Sequence, residues 1–277
     1  LISTQQEQTK QIWRGVLEKV QPVVLAGRHE TQQEPRLLTT ELSTRSVERL
    51  SKFAARTSAS LNLVCQLAWA SVLCNITGND SVVFGEVVSG RTLEVPGIED
   101  SIGCYANTIP APVTLTAHST WREALTNLVA LRRHVIGWEH LPLVDAHRLA
   151  GVRKLFDTLY VFQSYPAQHR ELVKTLHAAG LPLLGVHPGG STDASAVLMV
   201  FPPGSVGSNN TLRFSLHTAP DVLDEEQSHI VLNIFTGALD AMATDPDRNI
   251  EECELVSDFD QFALDTLRPN ITSEGIT

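Results

Sequence analysis

The chain of 277 residues has few of the features that most readily assign a protein. Its four cysteines, Cys65, Cys74, Cys104 and Cys253, form no CxxC pair, so the paired thiolates of a structural zinc site are missing. No apolar stretch reaches the length of a membrane span. The first residues, LISTQQEQTKQIW, lack the basic segment and apolar run of a secretory leader. Positive charge is scarce: 21 Lys and Arg against 31 Asp and Glu give a formal net charge of -10, and the cations are dispersed along the chain. This balance argues against nucleic acid and anionic membrane as partners. There is no GxGxxG turn, P-loop or GxSxG elbow, which disfavours nucleotide binding and the common hydrolase chemistry. Serine, histidine and aspartate occur, but no spacing pairs them. The expectation is a protein of a reducing, cytoplasmic compartment, with no metal and no directly bound cofactor.

What is present can fold. Hydrophobic residues make up 43% of the chain and charged residues 19%, enough for a sizeable core. QTKQIWRGVLEKV sets Trp13, Val16 and Val20 on one helical face. STRSVERLSKFAARTS repeats apolar residues at Val47, Leu50, Phe53 and Ala54, with Ser43 as a cap. NLVCQLAWASVLCNITG is apolar nearly all round, so it reads as a buried helix stopped at Gly78. Thr120 and Glu123 form a capping box ahead of another helix, and Pro142 suits a first helical turn. DEEQSHIVLNIFTGALDAMA is an amphipathic helix with acids at its favourable end. PRLLTTEL, the run from Ser81, FDTLYVFQ, AVLMVFPPG and TLRFSLHT read as strands. NTIPAPVTL carries Pro110 and Pro112, which confine it to a sheet edge or a connector. PPGSVGSNN reads as a hairpin tip, and GLPLLGVHPGGSTD as a loop. The pattern predicts an α/β chain with a mixed sheet covered by helices.

Several titratable and polar residues admit two readings. His134, Glu139, His140, Asp145 and His147 crowd into RRHVIGWEHLPLVDAHR; they could converge on a metal or form a solvated helix end, and their spacing matches no helical HxxxH site. Glu86 interrupts the apolar strand VVFGEVVSGR; it lines a cavity or sits on a solvated face, because a carboxylate there needs water or a partner. Arg91 holds an anion or a carbonyl, or it pins its loop by bridging Glu94, Glu99 or Asp100. Asn107 and Thr108 meet a substrate amide or satisfy backbone groups left by the prolines. Phe156 reads as core and Asp157 as a turn or cap residue.

The order of four segments adds a resemblance. VVFGEVVSGR, PGIEDSIGCYANTIPAPV, WEHLPLVDAHRLAG and LFDTLYVFQSYP together resemble the condensation domain of nonribosomal peptide synthetases. DPDRNIEECELVS resembles the end of such a domain, and QIWRGVLEKV the helix between its two halves. The resemblance runs from about Gln11 to Ser257. It implies a lobe of the chloramphenicol-acetyltransferase-like fold, a two-layer sandwich, with residues 1–22 as hinge helix and entry, 23–257 as the lobe and 258–277 as a tail or linker. In that family two lobes enclose a tunnel in which an amine on one carrier protein attacks an acyl thioester on another. The family signature HHxxxDG, carried by the N-terminal half, is absent, and no two of the ten histidines are adjacent.

The resemblance therefore implies the C-terminal half of a condensation domain, with no catalytic residue of its own and no activity alone. Its implied partners are the N-terminal half, peptidyl and aminoacyl carrier proteins with their phosphopantetheine arms, and an adjacent adenylation domain. Gly85, Ser89, Gly90, Arg91, Asn107 and Thr108 are the implied tunnel-side residues, with Glu86, Phe156, Asp157 and Ser164 as tunnel or structural positions. Val88 to Gly103 would be a floor loop and Ser191 to Phe201 would approach a latch; both are expected to be mobile or rearranged without the other lobe. Pro112 stands where the family usually has an arginine, and Ser164 where many members have asparagine. These departures also fit a noncatalytic carrier-docking module. The matching half of an epimerization domain is a third reading.

Overall fold

A computed structural model describes residues 2–25, 34–91, 97–98, 101–116, 118–163, 175, 178–180, 194–205 and 211–265. Six strands form one mixed sheet: β1 (Arg36–Leu42), β2 (Ser81–Val88), β3 (Asn107–Thr114), β4 (Thr158–Phe162), β5 (Ala196–Phe201) and β6 (Leu212–Thr218), in the order β1-β6-β5-β4-β2-β3. The pairs β2–β4 and β4–β5 are parallel and the others antiparallel. Seven α-helices accompany them among the described residues: α1 (Ile2–Leu17), α2 (Thr44–Arg56), α3 (Leu61–Thr77), α4 (Trp121–Val135), α5 (Leu143–Leu149), α6 (Glu225–Thr244) and α7 (Asp258–Asp265).

The elements begin and end where local chemistry directs. The Ser43 side chain accepts the Ser46 N–H, and Thr120 with Glu123 closes a full capping box on α4. Asp224 and Gln227 do the same for α6, satisfying N–H groups that a helix start leaves unpaired. Gly78, at φ 71°, caps α3 and donates its N–H to Cys74 O at 2.8 Å; the left-handed conformation there favours glycine. Pro142 is the N-cap of α5. β3 keeps its two prolines because it is an edge strand, its single ladder running to β2.

The core follows from the apolar pattern. α3 is buried on nearly every side, from Leu63 to Ile76, as a helix without a polar face must be. Phe214 of β6 meets Phe235 of α6 edge-on at 4.8 Å, so α6 covers the same sheet face. Cys65 is a core residue and Cys74 packs partly buried against the core; burial pushes the Cys74 thiol up to about 12, which disfavours the thiolate at neutral pH.

Two expectations need correction. Asp258–Asp265 does not trail away: it forms α7, with Leu264 fully buried and the Ala263 carbonyl accepting from Gln227 Nε2 at 3.3 Å. Ala196–Phe201, placed near a movable latch, is instead an interior strand paired on both sides, with Leu198 and Val200 inaccessible to solvent. Its apolar character made it core rather than linker. Ser191 and the loop GLPLLGVHPGGSTD lie wholly or mostly outside the described residues.

Gly85 shows how closely one face of the sheet is packed. A Cβ there would lie 2.5 Å from Phe156 Cε2, 2.6 Å from Leu159 Cδ2 and 2.9 Å from Thr108 Cγ2. Gly85→Ala should therefore cost about 1–3 kcal/mol through overpacking, read as a lower denaturant midpoint with an unchanged slope.

Candidate functional site

The residues singled out from sequence fall into separate groups rather than one constellation. Gly85, Thr108 and Phe156 meet on one face of the sheet, where the missing Cβ of Gly85 makes room for the Phe156 ring. Phe156 is core, as its position suggested. Its neighbour His147 approaches the ring edge-on at 6.2 Å; burial, reinforced by Lys154, lowers the His147 pKa.

Glu86 points to the opposite face, into the helical layer, and is 5% exposed. The solvated-face reading is thereby excluded. Gln66 Nε2 of α3 donates to Glu86 Oε1 at 2.8 Å, and Arg132 Nη1 of α4 lies 3.9 Å from Glu86 Oε2. The other arm of Arg132 is hydrogen-bonded to the buried Glu139. One guanidinium thus serves two buried carboxylates. The small cavity beside Glu86, about 20 Å³, is the size of one water rather than a substrate. Burial is the largest influence on the Glu86 carboxyl and raises its pKa; Arg132 and Gln66 oppose this, and Glu139 adds to it.

The third group is the turn after β2. Gly90 has φ 67°, and a Cβ would fall 1.8 Å from the Tyr105 carbonyl oxygen, so glycine is required for both backbone angle and close approach. The Arg91 N–H donates to Ser89 Oγ at 3.3 Å. The Arg91 guanidinium donates to the carbonyls of Ile98, Ser101 (3.0 Å) and Gly103 (3.4 Å), and its carbon stands 4.7 Å above the Tyr105 ring. Arg91 pins its loop as anticipated, and among the described residues it does so through carbonyls and a ring; Glu94, Glu99 and Asp100 lie outside the described residues. Above this brace, residues 102–106 are exposed, Ile102 completely.

Asn107 and Asp157 act as ties. Asn107 Nδ2 donates to Glu139 O at 2.7 Å and Leu141 O at 2.9 Å, fastening the start of β3 to the α4–α5 connection. It satisfies backbone groups, though not those beside the prolines. Asp157 is more than a turn residue: buried, it accepts from the Leu25 N–H at 2.9 Å and from Ser195 Oγ. Together with the Val23–Phe156 bridge, it sews the segment after α1 to the sheet. Ser164 lies outside the described residues.

The crowded His/Glu/Asp stretch separates in space. Glu139 pairs with Arg132, His140 Nε2 lies 2.8 Å from Thr9 Oγ1, Asp145 faces Lys10 and Arg148, and His134 is exposed. Among the described residues no three His, Cys, Asp or Glu side chains are placed to hold a metal. One pairing escaped the sequence: Ser215 Oγ lies 2.9 Å from His217 Nε2, two residues apart on one face of β6. Burial lowers the His217 pKa. Within the described residues no carboxylate orients this imidazole, so the pair is not a triad.

A raised carboxyl pKa sets the sign of a pH effect. A glutamate whose folded pKa exceeds its unfolded value gives stability that is fully present below the unfolded value, in the ordinary glutamate range. That stability is lost as pH rises through the folded value. Glu86→Gln retains an acceptor for Gln66 and cannot ionise. Its unfolding free energy relative to the parent should improve as pH rises from about 4 toward neutrality; equal pH slopes in parallel denaturant titrations would remove this account. For Asp157→Ala, two buried donors lose their acceptor, and a loss of about 2–4 kcal/mol is expected, measured by urea unfolding.

Known proteins place this architecture. Residues 1–264 match the family model described as the condensation domain. The chain is 31% identical over 265 residues to nonribosomal peptide synthetase fmqA of Aspergillus fumigatus, covering 93% of this chain and 6% of that protein. It is 30% identical over 201 residues to vanchrobactin synthetase VabF of Vibrio anguillarum, covering 72% and 7%. Its fold matches the first condensation domain of the calcium-dependent antibiotic synthetase with TM-score 0.70 at 18% identity, covering 91% of this chain and 54% of that one. For a four-domain nonribosomal peptide synthetase the TM-score is 0.73 at 15% identity, covering 91% and 20%. The chain thus spans a small part of its curated relatives and about half of a solved condensation domain. Its motif order, its helix-covered mixed sheet and a family match from the first residue to residue 264 agree: this chain belongs to the condensation domain family.

Proposed function

We propose that this chain is the C-terminal lobe of a peptide-synthetase condensation domain, and that the complete domain joins a carrier-bound acyl thioester to a carrier-bound amine. The observation that carries the reading is a pair of facts: the chain covers 54% of a solved condensation domain, and HHxxxDG is absent from its sequence. In the reaction a C–N bond forms as the C–S bond of the thioester breaks. The amine proton leaves to a base, and the departing sulfur takes up a proton. On this reading the base belongs to the other lobe, because proton transfer needs a group within hydrogen-bond reach.

This lobe's part is wall and floor. The Arg91-braced loop, with Ile102 and Tyr105 exposed on it, is the surface on which the opposite lobe closes the tunnel. Gly85, Ser89, Gly90, Asn107 and Thr108 shape the acceptor side, by close packing and by backbone ties rather than by chemistry. The partners are the N-terminal lobe, carrier proteins whose phosphopantetheine arms enter the tunnel, and a neighbouring adenylation domain. The reading carries a cytoplasmic location with it. Pro112, on an edge strand where the family commonly has arginine, favours a second reading: a docking lobe that holds a carrier protein without catalysing.

The test offers donor and acceptor carrier thioesters to the chain alone and to the chain fused behind an HHxxxDG-bearing lobe. No amide above background is expected from the chain alone, and turnover is expected from the fusion. Amide formation by the chain alone would refute the lobe reading; a silent fusion that still binds carrier protein would favour the docking lobe. In an active fusion, Arg91→Ala should lower kcat about tenfold or more by misplacing the floor, with little change in Tm.

A further inference from the structure

The cations that look dispersed along the chain align on one helix. Arg45, Arg49, Lys52 and Arg56 of α2 follow the spacing four, three, four. At 100° per residue these positions fall within about 60° of arc, over about 16 Å of helix. All four are exposed, and no ion pair links any of them to a described residue. The single acid on the helix is Glu48. The opposite face, with Leu50, Phe53 and Ala54, is buried, so the stripe has a fixed direction outward. Beside it lies a groove of about 550 Å³, lined by Thr44, Val47, Glu48, Ser51 and Ala55 of α2 and by Pro203 just after β5, so the one acid of the helix stands at the groove rather than within the stripe. Lys52 borders the groove and belongs to the stripe.

We propose that this face of α2 docks an acidic amphipathic helix of a partner protein, carboxylates along the stripe and an apolar side chain in the groove. The charge of the chain selects that occupant. A membrane surface or a nucleic acid is a long array of negative charge and would meet the rest of a molecule whose net charge is -10. A single short helix meets only the stripe. The four-three-four spacing is that of a helix edge, so a parallel or antiparallel helix can present carboxylates in register. The proposal is independent of where catalysis lies, because α2 packs against α3 and α6, whereas the braced loop follows β2.

The test uses the full chain, isotopically labelled, and two stapled 16-residue helical peptides of identical composition. One places glutamates at four-three-four spacing beside a leucine; the other spreads the same glutamates around the helix. The matched peptide should shift the amides of residues 44–56 and bind about tenfold more tightly than the scrambled one. It should be released in 1 M salt, where charges are screened beyond about 3 Å. Arg49→Glu with Arg56→Glu should weaken binding about tenfold or more while leaving the thermal melt unchanged. Arg49→Ala with Arg56→Ala gives a second variant if the reversal impairs folding. Equal affinity for the two peptides, or no shift at millimolar peptide, would overturn the proposal. So would stronger perturbation of the same amides by phosphatidylserine vesicles or a single-stranded oligonucleotide.

Discussion

Strand β2 imposes two demands one residue apart. Successive side chains on a strand point to opposite faces, so Gly85 and Glu86 answer to different surroundings. On one face there is no room for even a methyl group, because Phe156, Leu159 and Thr108 already occupy it. On the other, a carboxylate is buried and must be paired. Gln66 brings α3 to it and Arg132 brings α4. The same arginine holds Glu139, whose backbone carbonyl, with that of Leu141, accepts from Asn107 at the start of β3. Strand β2, two helices, the edge strand β3 and the α4–α5 connection are thus joined around one buried ionic cluster. A buried pair is weak evidence for stability; here its larger effect is to fix which helices sit against which strand.

At the end of the same strand the constraint changes from burial to curvature. Gly90 turns the chain so closely past Tyr105 that no other residue fits. Arg91 then donates to loop carbonyls while stacking on that ring. A cation used this way is structural, and it leaves Ile102 and its neighbours presented to solvent. The sequence of parts is a packed sheet, a braced turn and an exposed stretch from Ile102 to Ala106.

Much of this was legible in the sequence, for identifiable reasons. Caps at Ser43 and Thr120, the stop at Gly78 and the edge position of Asn107–Thr114 all depend on residues a few positions apart. Motif order reached the family because it is likewise a property of the chain. What the sequence concealed depends on distant segments. Arg132 gave no sign that it would serve two carboxylates, Glu139 was hidden in a crowded titratable run, and Ser195 carried no signal as a partner for Asp157. The alignment of Arg45, Arg49, Lys52 and Arg56 was readable from helical periodicity once α2 was known, yet it vanishes in a count of charge along the chain.

The sequence by itself determined the alternation of elements, their caps and breaks, the class of fold and the family, because each rests on local periodicity or linear order. Tertiary structure alone decided the fate of each polar residue. It buried Glu86 against Gln66 and Arg132, and it committed Asn107 to two backbone carbonyls. It also made Asp258–Asp265 a docked helix rather than part of a tail. The physical reason is the same in each case. Whether a polar group meets water, a carbonyl or a guanidinium depends on segments far apart in sequence, and only folding brings them within hydrogen-bond reach.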